Sequence, residues 1–289
     1  MARPGWSSLT AEARAQAEGQ FRLAVVQLMV AVGGAIALAY TARSYRLSHR
    51  GQVMDRLAKA LERLGSDETY VRVGGILALE QVVRDAPDQT IHIHKLLSAF
   101  IRKQAPRRRM EKPHHPLGHT RGPTLPMQPE PDVQAALSTV THPEFRKNVN
   151  QQMRVDLTRL HLAGLSLIGA DLSWANLQGA DLTGADLSVT KLNDALLDGA
   201  NLTKAKLVGS NLADADMTGV DFTEAVLLGT IFAGAFLMAA RLESAIGLKV
   251  EQVLAADRFT GAHLPREIAT DPRVRALLDE ERGPDPREP

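Results

Sequence analysis

The sequence predicts a mainly β protein with an α N-terminal part: a solenoid of short turns, preceded by one transmembrane helix and a small helical segment. Three observations predict it. A large apolar residue recurs at every fifth position from Leu157 to Leu242. An uncharged run of twenty residues fills 23–42. Aromatic residues make up only 4% of the chain although 44% is hydrophobic. A conventional core draws much of its burial from Phe, Tyr and Trp, so small and medium aliphatic side chains must replace them here.

After an N-terminal tail (1–22), the run LAVVQLMVAVGGAIALAYTA contains one Gln and no charge, long enough as a helix to cross about 30 Å of hydrocarbon. Arg3, Arg14 and Arg22 precede it, while Arg43, Arg46, Arg50, Arg56, Lys59 and Arg63 follow. The positive-inside rule therefore places the large C-terminal part in the cytoplasm, with the chain a single-pass protein of the cell membrane. Two other readings compete. Ala37-Leu38-Ala39 has the shape of a signal-peptide cleavage site, although the basic cluster beyond it opposes export. A buried helix of a soluble protein is the other. Ala31, Ala35 and Ala39 recur every four residues, a spacing that permits close helix pairing.

Residues 47–105 read as a helical segment. Val53, Leu57, Ala60, Leu61 and Leu64 fall at helical spacing, with Gly65 placed to end the helix. Ser66 or Asp67 is positioned to cap a second helix, whose apolar side is Val71, Ile76, Leu79, Val82 and Val83 and which Pro87 stops. Thr90–Gln104 reads as a third, with Ile93, Leu96, Leu97, Phe100 and Ile101 inward. His92 and His94 are two residues apart and point about 200° from each other around a helix, so they do not share a metal ion and are expected at the surface or its boundary. Residues 106–131 hold seven prolines, Arg107, Arg108, Arg109 and His114-His115, and read as an extended linker, solvated or touching anionic lipid. A lead-in helix follows within 132–154.

The five-residue period decides the rest. Eighteen consecutive positions hold Leu, Met217, Phe222 or Phe232. Two residues earlier, from Ala170 to Ala240, stand eleven Ala with Thr190, Ser210, Val220 and Thr230. Directly before the large residue, nine of eighteen are Asp or Asn, and two after it nine are Gly. On an α-helix five residues turn about 500°, which spreads the leucines around the surface. On a flat strand an odd period sends alternate leucines to opposite faces. A chain that keeps every fifth Leu inside must turn a corner once per unit, and Gly with Asp or Asn supplies the corner chemistry.

Residues 155–245 resemble the pentapeptide-repeat family, matching its consensus A-[DN]-L-x-x. The resemblance implies a right-handed quadrilateral β-helix, four units to a coil and about four and a half coils. Residues 52–105 and 132–139 are similar to the helices that flank a membrane span and repeats in actinobacterial proteins of unassigned role. No biochemical activity is implied by that architecture.

Function is expected at outward positions. Late in the array these become apolar, at Val226, Leu228, Ile231, Phe236 and Met238, either as the seat of a C-terminal cap or as a homodimer interface. Residues 246–289 hold that cap, a helix over 248–256 (LKVEQVLAA), and then a polar tail. With no cysteine, thiolate and disulfide chemistry are excluded, and no phosphate loop, H-E-x-x-H or complete nucleophile elbow is present. No enzyme activity, cofactor or metal is expected. Residues 1–154 hold 22 Lys/Arg against 13 Asp/Glu, whereas 155–245 hold 5 against 11. The expected role is a membrane-tethered scaffold with a cytoplasmic protein partner. The alternative is DNA mimicry directed at a topoisomerase such as DNA gyrase, which some soluble members of the resembled family practise. Against it stand the anchor and Lys191, Lys204, Lys206 and Arg241, which interrupt the acidic surface.

Overall fold

The computed structural model describes residues 10–107, 128–147, 149 and 153–282. The first nine residues, the centre of the linker with Arg108, Arg109 and His114-His115, and the last seven residues of the tail lie outside them. Contacts divide the chain into two units, Met1–Arg56 and Leu57–Pro289.

Helix α1 runs without a break over Ala11–Leu64. The apolar span and the first amphipathic helix, separate elements by their sequence patterns, are thus one. The reason is local: between Ala42 and Val53 there is no proline, and the lone Gly51 costs a helix only about 1 kcal/mol. Within the apolar span Thr41 returns its hydroxyl to the Ala37 carbonyl, 2.8 Å away, so it adds no unsatisfied donor. Leu28, Ile36 and Leu38 are 65, 64 and 73% exposed. This helix is long and apolar enough to cross a membrane.

In the second unit α1 ends at Gly65, whose amide donates back to Leu61 and Glu62. Helix α2 (Thr69–Asp85) begins after Glu68, not under a Ser66 or Asp67 side-chain cap. The Ser66 hydroxyl instead accepts from the Glu68 amide, and the carbonyls of Ser66 and Asp67 are held by the Arg72 guanidinium. A 3₁₀ turn at Pro87–Gln89 leads into α3 (Thr90–Gln104), and α4 (Pro131–Val140) packs against both α2 and α3. Ile76, Leu79, Ile93, Leu97, Ile101 and Leu137 form the centre of this layer, each at most 2% exposed.

His92 is exposed, but His94 is buried, which corrects the surface expectation. The difference comes from α5 (Pro143–Arg146), whose Phe145 ring lies 6.2 Å from the imidazole. Burial, assisted by the Arg146 guanidinium, lowers the His94 pKa to about 4. An unfolded histidine titrates near 6.5, so as pH falls toward 4 the unfolded chain binds a proton that the folded one refuses. Stability is therefore full above the unfolded value and decreases below it, by about 3 kcal/mol in total. Thermal unfolding followed from about pH 7 to about pH 4.5 should show this fall, and His94→Leu should flatten it. An equal slope in the variant would contradict the assignment.

The array is a β-helix built on four ladders of parallel bridges with a twenty-residue repeat. The first ladder runs Asp156, Asn176, Leu196, Asp216, Phe236; the second His161, Asp181, Asn201, Asp221, Arg241. The third runs Ser166, Asp186, Lys206, Val226, Ile246; the fourth Asp171, Lys191, Asn211, Ile231. Each five-residue unit forms one edge of a coil, and its hydrogen bonds explain its composition. In residues 181–185 the Asp181 amide donates to Leu160 of the coil before, and the Leu182 and Gly184 amides donate to Asn201 and Thr203 of the coil after. The Ala185 amide closes a turn on the Leu182 carbonyl. That leaves the Thr183 amide, which donates to the Asp181 carboxylate at 3.2 Å. Asp or Asn before the large residue thus satisfies the one donor the ladder cannot reach. The turn demands a positive φ at its third residue, and Gly184 supplies +65°.

All eighteen fifth-position residues are buried, at 3% exposure or less. The small inward position follows the ladders too. Thr190, Ser210 and Thr230 stand in one column and donate their hydroxyls to the carbonyls of Leu167, Leu187 and Leu207 at 2.7, 2.7 and 2.8 Å. A polar residue is tolerated inside because each finds an acceptor.

The coils do not stop at Leu242. Phe236 bridges to Arg258 and Arg241 to His263, and Phe259 is buried in the next inward place. The spacing is 22 instead of 20 because, once Ile246 has begun the third edge, the segment holding α6 (Val250–Leu254) takes the place of the rest of this coil. Gln252 fastens α6 to the array by donating to the carbonyls of Leu227 and Thr230. Short α7 (Arg266–Ala269) and α8 (Pro272–Arg282) follow, with α8 against α6 and α7.

Candidate functional site

The outward carboxylates are mostly spent on structure. Asp156, Asp181, Asp186, Asp216 and Asp221 each accept from the amide and hydroxyl of the Ser or Thr two residues on. Burial alone would raise the Asp181 carboxyl, but bonds from Thr183 and His161 outweigh it and hold the pKa below its ordinary value. The His161 Nδ1 lies 2.7 Å from that carboxylate. Among the described residues no group of three His, Asp or Glu is placed to hold a metal ion.

The five late apolar residues do not share one surface. Val226 and Leu228 lie on the third edge, Ile231 on the fourth, Phe236 and Met238 on the first. Leu228 and Ile231 are about half exposed, while Val226, Phe236 and Met238 are more covered. Met238 lines a cleft of about 540 Å³ together with Leu254, Phe259 and Leu277 of the C-terminal segment.

What the ladders bring together is a different set. Ile168, Val189, Val208, Leu228 and Ile246 all fall on the third edge of successive coils, at 61, 63, 37, 51 and 55% exposure. Four of these are absent from the late cluster because they are scattered along the chain. A partial signal for them exists in the sequence: taken in steps of twenty, Ile168, Val208 and Leu228 hold the same place on their edges, while Val189 stands one place later and Ile246 two places earlier. At its N-terminal end the stripe meets α4, where the Gln134 side chain donates to the Ser166 carbonyl and accepts from the Ser166 amide.

Parallel ladders at a twenty-residue step, with one turn per five residues, define a β-helical repeat protein. Residues 156–194, 180–219 and 205–243 match the family model described as pentapeptide repeats, and this array belongs to the pentapeptide-repeat family. Among solved structures, the chain is similar to the pentapeptide repeat protein Rfr23 from the cyanobacterium Cyanothece 51142, at 29% identity over 38% of this chain and 64% of that one, with a TM-score of 0.28. HetL, a pentapeptide repeat protein involved in heterocyst differentiation regulation from Nostoc sp. strain PCC 7120, is 34% identical over 39% of this chain and 52% of its own, with a TM-score of 0.27. A pentapeptide repeat protein of the Arabidopsis thaliana thylakoid lumen is 28% identical over 45% and 92%, with a TM-score of 0.28. The chain thus spans less than two thirds of the length of the first two. No curated protein matches it.

Proposed function

We propose that this chain is a non-enzymatic, membrane-tethered scaffold whose third edge receives a protein partner in the cytoplasm. The array is read as a right-handed, four-sided coil, since each twenty-residue turn holds four corners. Residues 23–42 are the tether, and the basic flank beyond them sets the orientation. The apolar stripe of Ile168, Val189, Val208, Leu228 and Ile246 is the observation that carries the reading. Monomeric surfaces rarely align large apolar residues in one contiguous patch unless something covers it. A flat β surface lined by branched side chains suits a partner that offers a similarly apolar sheet or helix face.

The gyrase reading has less support. Outward carboxylates are partly neutralised by Lys206 beside Asp186 at 3.6 Å, Lys204 beside Glu224 at 3.7 Å and Arg241 beside Asp221 at 3.3 Å. Such pairing weakens any likeness to the uniform charge of duplex phosphate.

The test is proximity labelling from the full-length chain, with the Val208→Glu/Leu228→Glu double variant as comparison. Both side chains point outward, so the interior is untouched and the thermal transition should stay within about 0.5 kcal/mol of the parent. Loss of a defined set of labelled proteins in the variant is the expected result. An identical set from both would sink the stripe as the contact surface, and recovery of the intact parent in the soluble fraction would sink the tether.

A further inference from the structure

A second feature lies where α3 meets the first coils. Arg102 in the last turn of α3, Arg107 just beyond it and Arg159 of the first coil line one open cleft of about 390 Å³. Gly179 and Gly199 form part of its wall, and a Cβ at Gly199 would meet no atom within 4 Å, so the wall is clear there. The position of Arg107 is set by the backbone: Pro106 accepts from the His161 amide at 2.8 Å, and Arg107 bridges Leu160 in antiparallel sense. Arg102 pairs with Asp156. Among the described residues Arg107 and Arg159 form no ion pair, and the one other carboxylate on the cleft belongs to Asp198. Three guanidiniums against two carboxylates leave the cleft cationic, and Arg108 and Arg109 follow Arg107 in the sequence.

We propose that this cleft is an anion site that binds a phosphate group between Arg107 and Arg159. A guanidinium presents its donors in a planar fork that matches phosphate oxygens two at a time, and two forks with spare donors accommodate a dianion. The lining is three arginines, two glycines, Thr158, Gln178 and Asp198, with no hydrophobic side chain among them to hold an organic body. The ligand therefore enters by its phosphate and leaves the rest of the molecule outside. A phosphomonoester in solution and the headgroup of phosphatidic acid share that chemistry.

The test uses the full chain in phosphatidylcholine nanodiscs, titrated with glycerol 3-phosphate at constant ionic strength while the arginine Nε–H resonances are followed. Saturable shifts are expected, and the Arg107→Gln/Arg159→Gly variant should weaken binding at least about tenfold. Glycine is chosen because position 159 has φ +57° and stacks on Gly179 and Gly199, so the exchange relieves the backbone and the thermal transition should not fall. Arg159→Lys, which keeps the charge and loses the fork, should fall between parent and double variant. Non-saturable shifts, or equal affinity in parent and double variant, would overturn the site. A repeat in nanodiscs doped with phosphatidic acid identifies the source. Competition that raises the apparent Kd assigns the site to the lipid headgroup, and an unchanged Kd assigns it to a soluble phosphate.

Discussion

Asp132→Ala is expected to lower stability by about 3–5 kcal/mol, because it strands a buried charge rather than merely deleting a contact. The Asp132 side chain is 1% exposed and its carboxylate meets the Arg72 Nε at 2.5 Å. The same guanidinium donates to the Ser66 and Asp67 carbonyls and to the Thr69 hydroxyl. It therefore joins the α1–α2 turn to α2 and α4. The other carboxylate oxygen accepts from the Val133 amide at 2.8 Å. Removing Asp132 leaves Arg72, only 13% exposed, without its counter-charge. Removing both charges is a different experiment. Arg72→Met/Asp132→Leu should recover most of the loss, since apolar replacement of a whole buried pair is often close to neutral. Denaturant unfolding monitored by far-UV circular dichroism measures both. A single-variant loss below about 1 kcal/mol would show that water, not Asp132, satisfies Arg72.

Phe222→Ala should cost about 3–5 kcal/mol and should be felt in neighbouring coils. Phe222 has no exposure and meets Phe232 edge to face, with centroids 6.3 Å apart and planes at 66°. These two rings fill places that Leu occupies in earlier coils: Leu162, Leu182 and Leu202 precede Phe222 in its column, and Leu172, Leu192 and Leu212 precede Phe232. The interior around it is already filled, by Leu202 before it and Leu242 after it in its column and by the small inward Ala residues, so little can move into the void. The reference is Phe222→Leu, which restores the column's own residue and should cost only about 1–2 kcal/mol. Because each coil is held by its neighbours, hydrogen exchange in the variant should rise first over the coil around 222 and those after it. A loss for Phe222→Ala no greater than for Phe222→Leu would mean that the interior relaxes around the cavity.

The interior of the array is legible in the amino-acid sequence. Leu, Met or Phe at eighteen fifth positions, with a small residue two before the last fifteen of them, leaves no other arrangement that buries them all. The apolar span of α1, Gly65 as its end and Thr90–Gln104 as a helix are equally readable, since each depends on a local pattern. Features that the sequence hides depend on what lies across from them. His94 is buried by Phe145, some fifty residues away. The turn before α2 is held by Arg72 rather than by the short polar residues beside it. The coils persist to His263 because backbone bonds from Leu237 to Arg258 and from Leu242 to His263 reimpose the ladder after the period has lapsed at Gly247.

By itself, then, the sequence determined the repeat, its inward residues and the apolar helix, because a period of five and an unbroken apolar run each have one physical solution. Only the tertiary structure decided the surfaces. Closure of the coils put Ile168, Val189, Val208, Leu228 and Ile246 on the same edge, and folding α3 back onto the first coil brought Arg107 and Arg159 to one cleft. Inward residues answer to a local rule of geometry, whereas outward ones become neighbours only once the coils are closed.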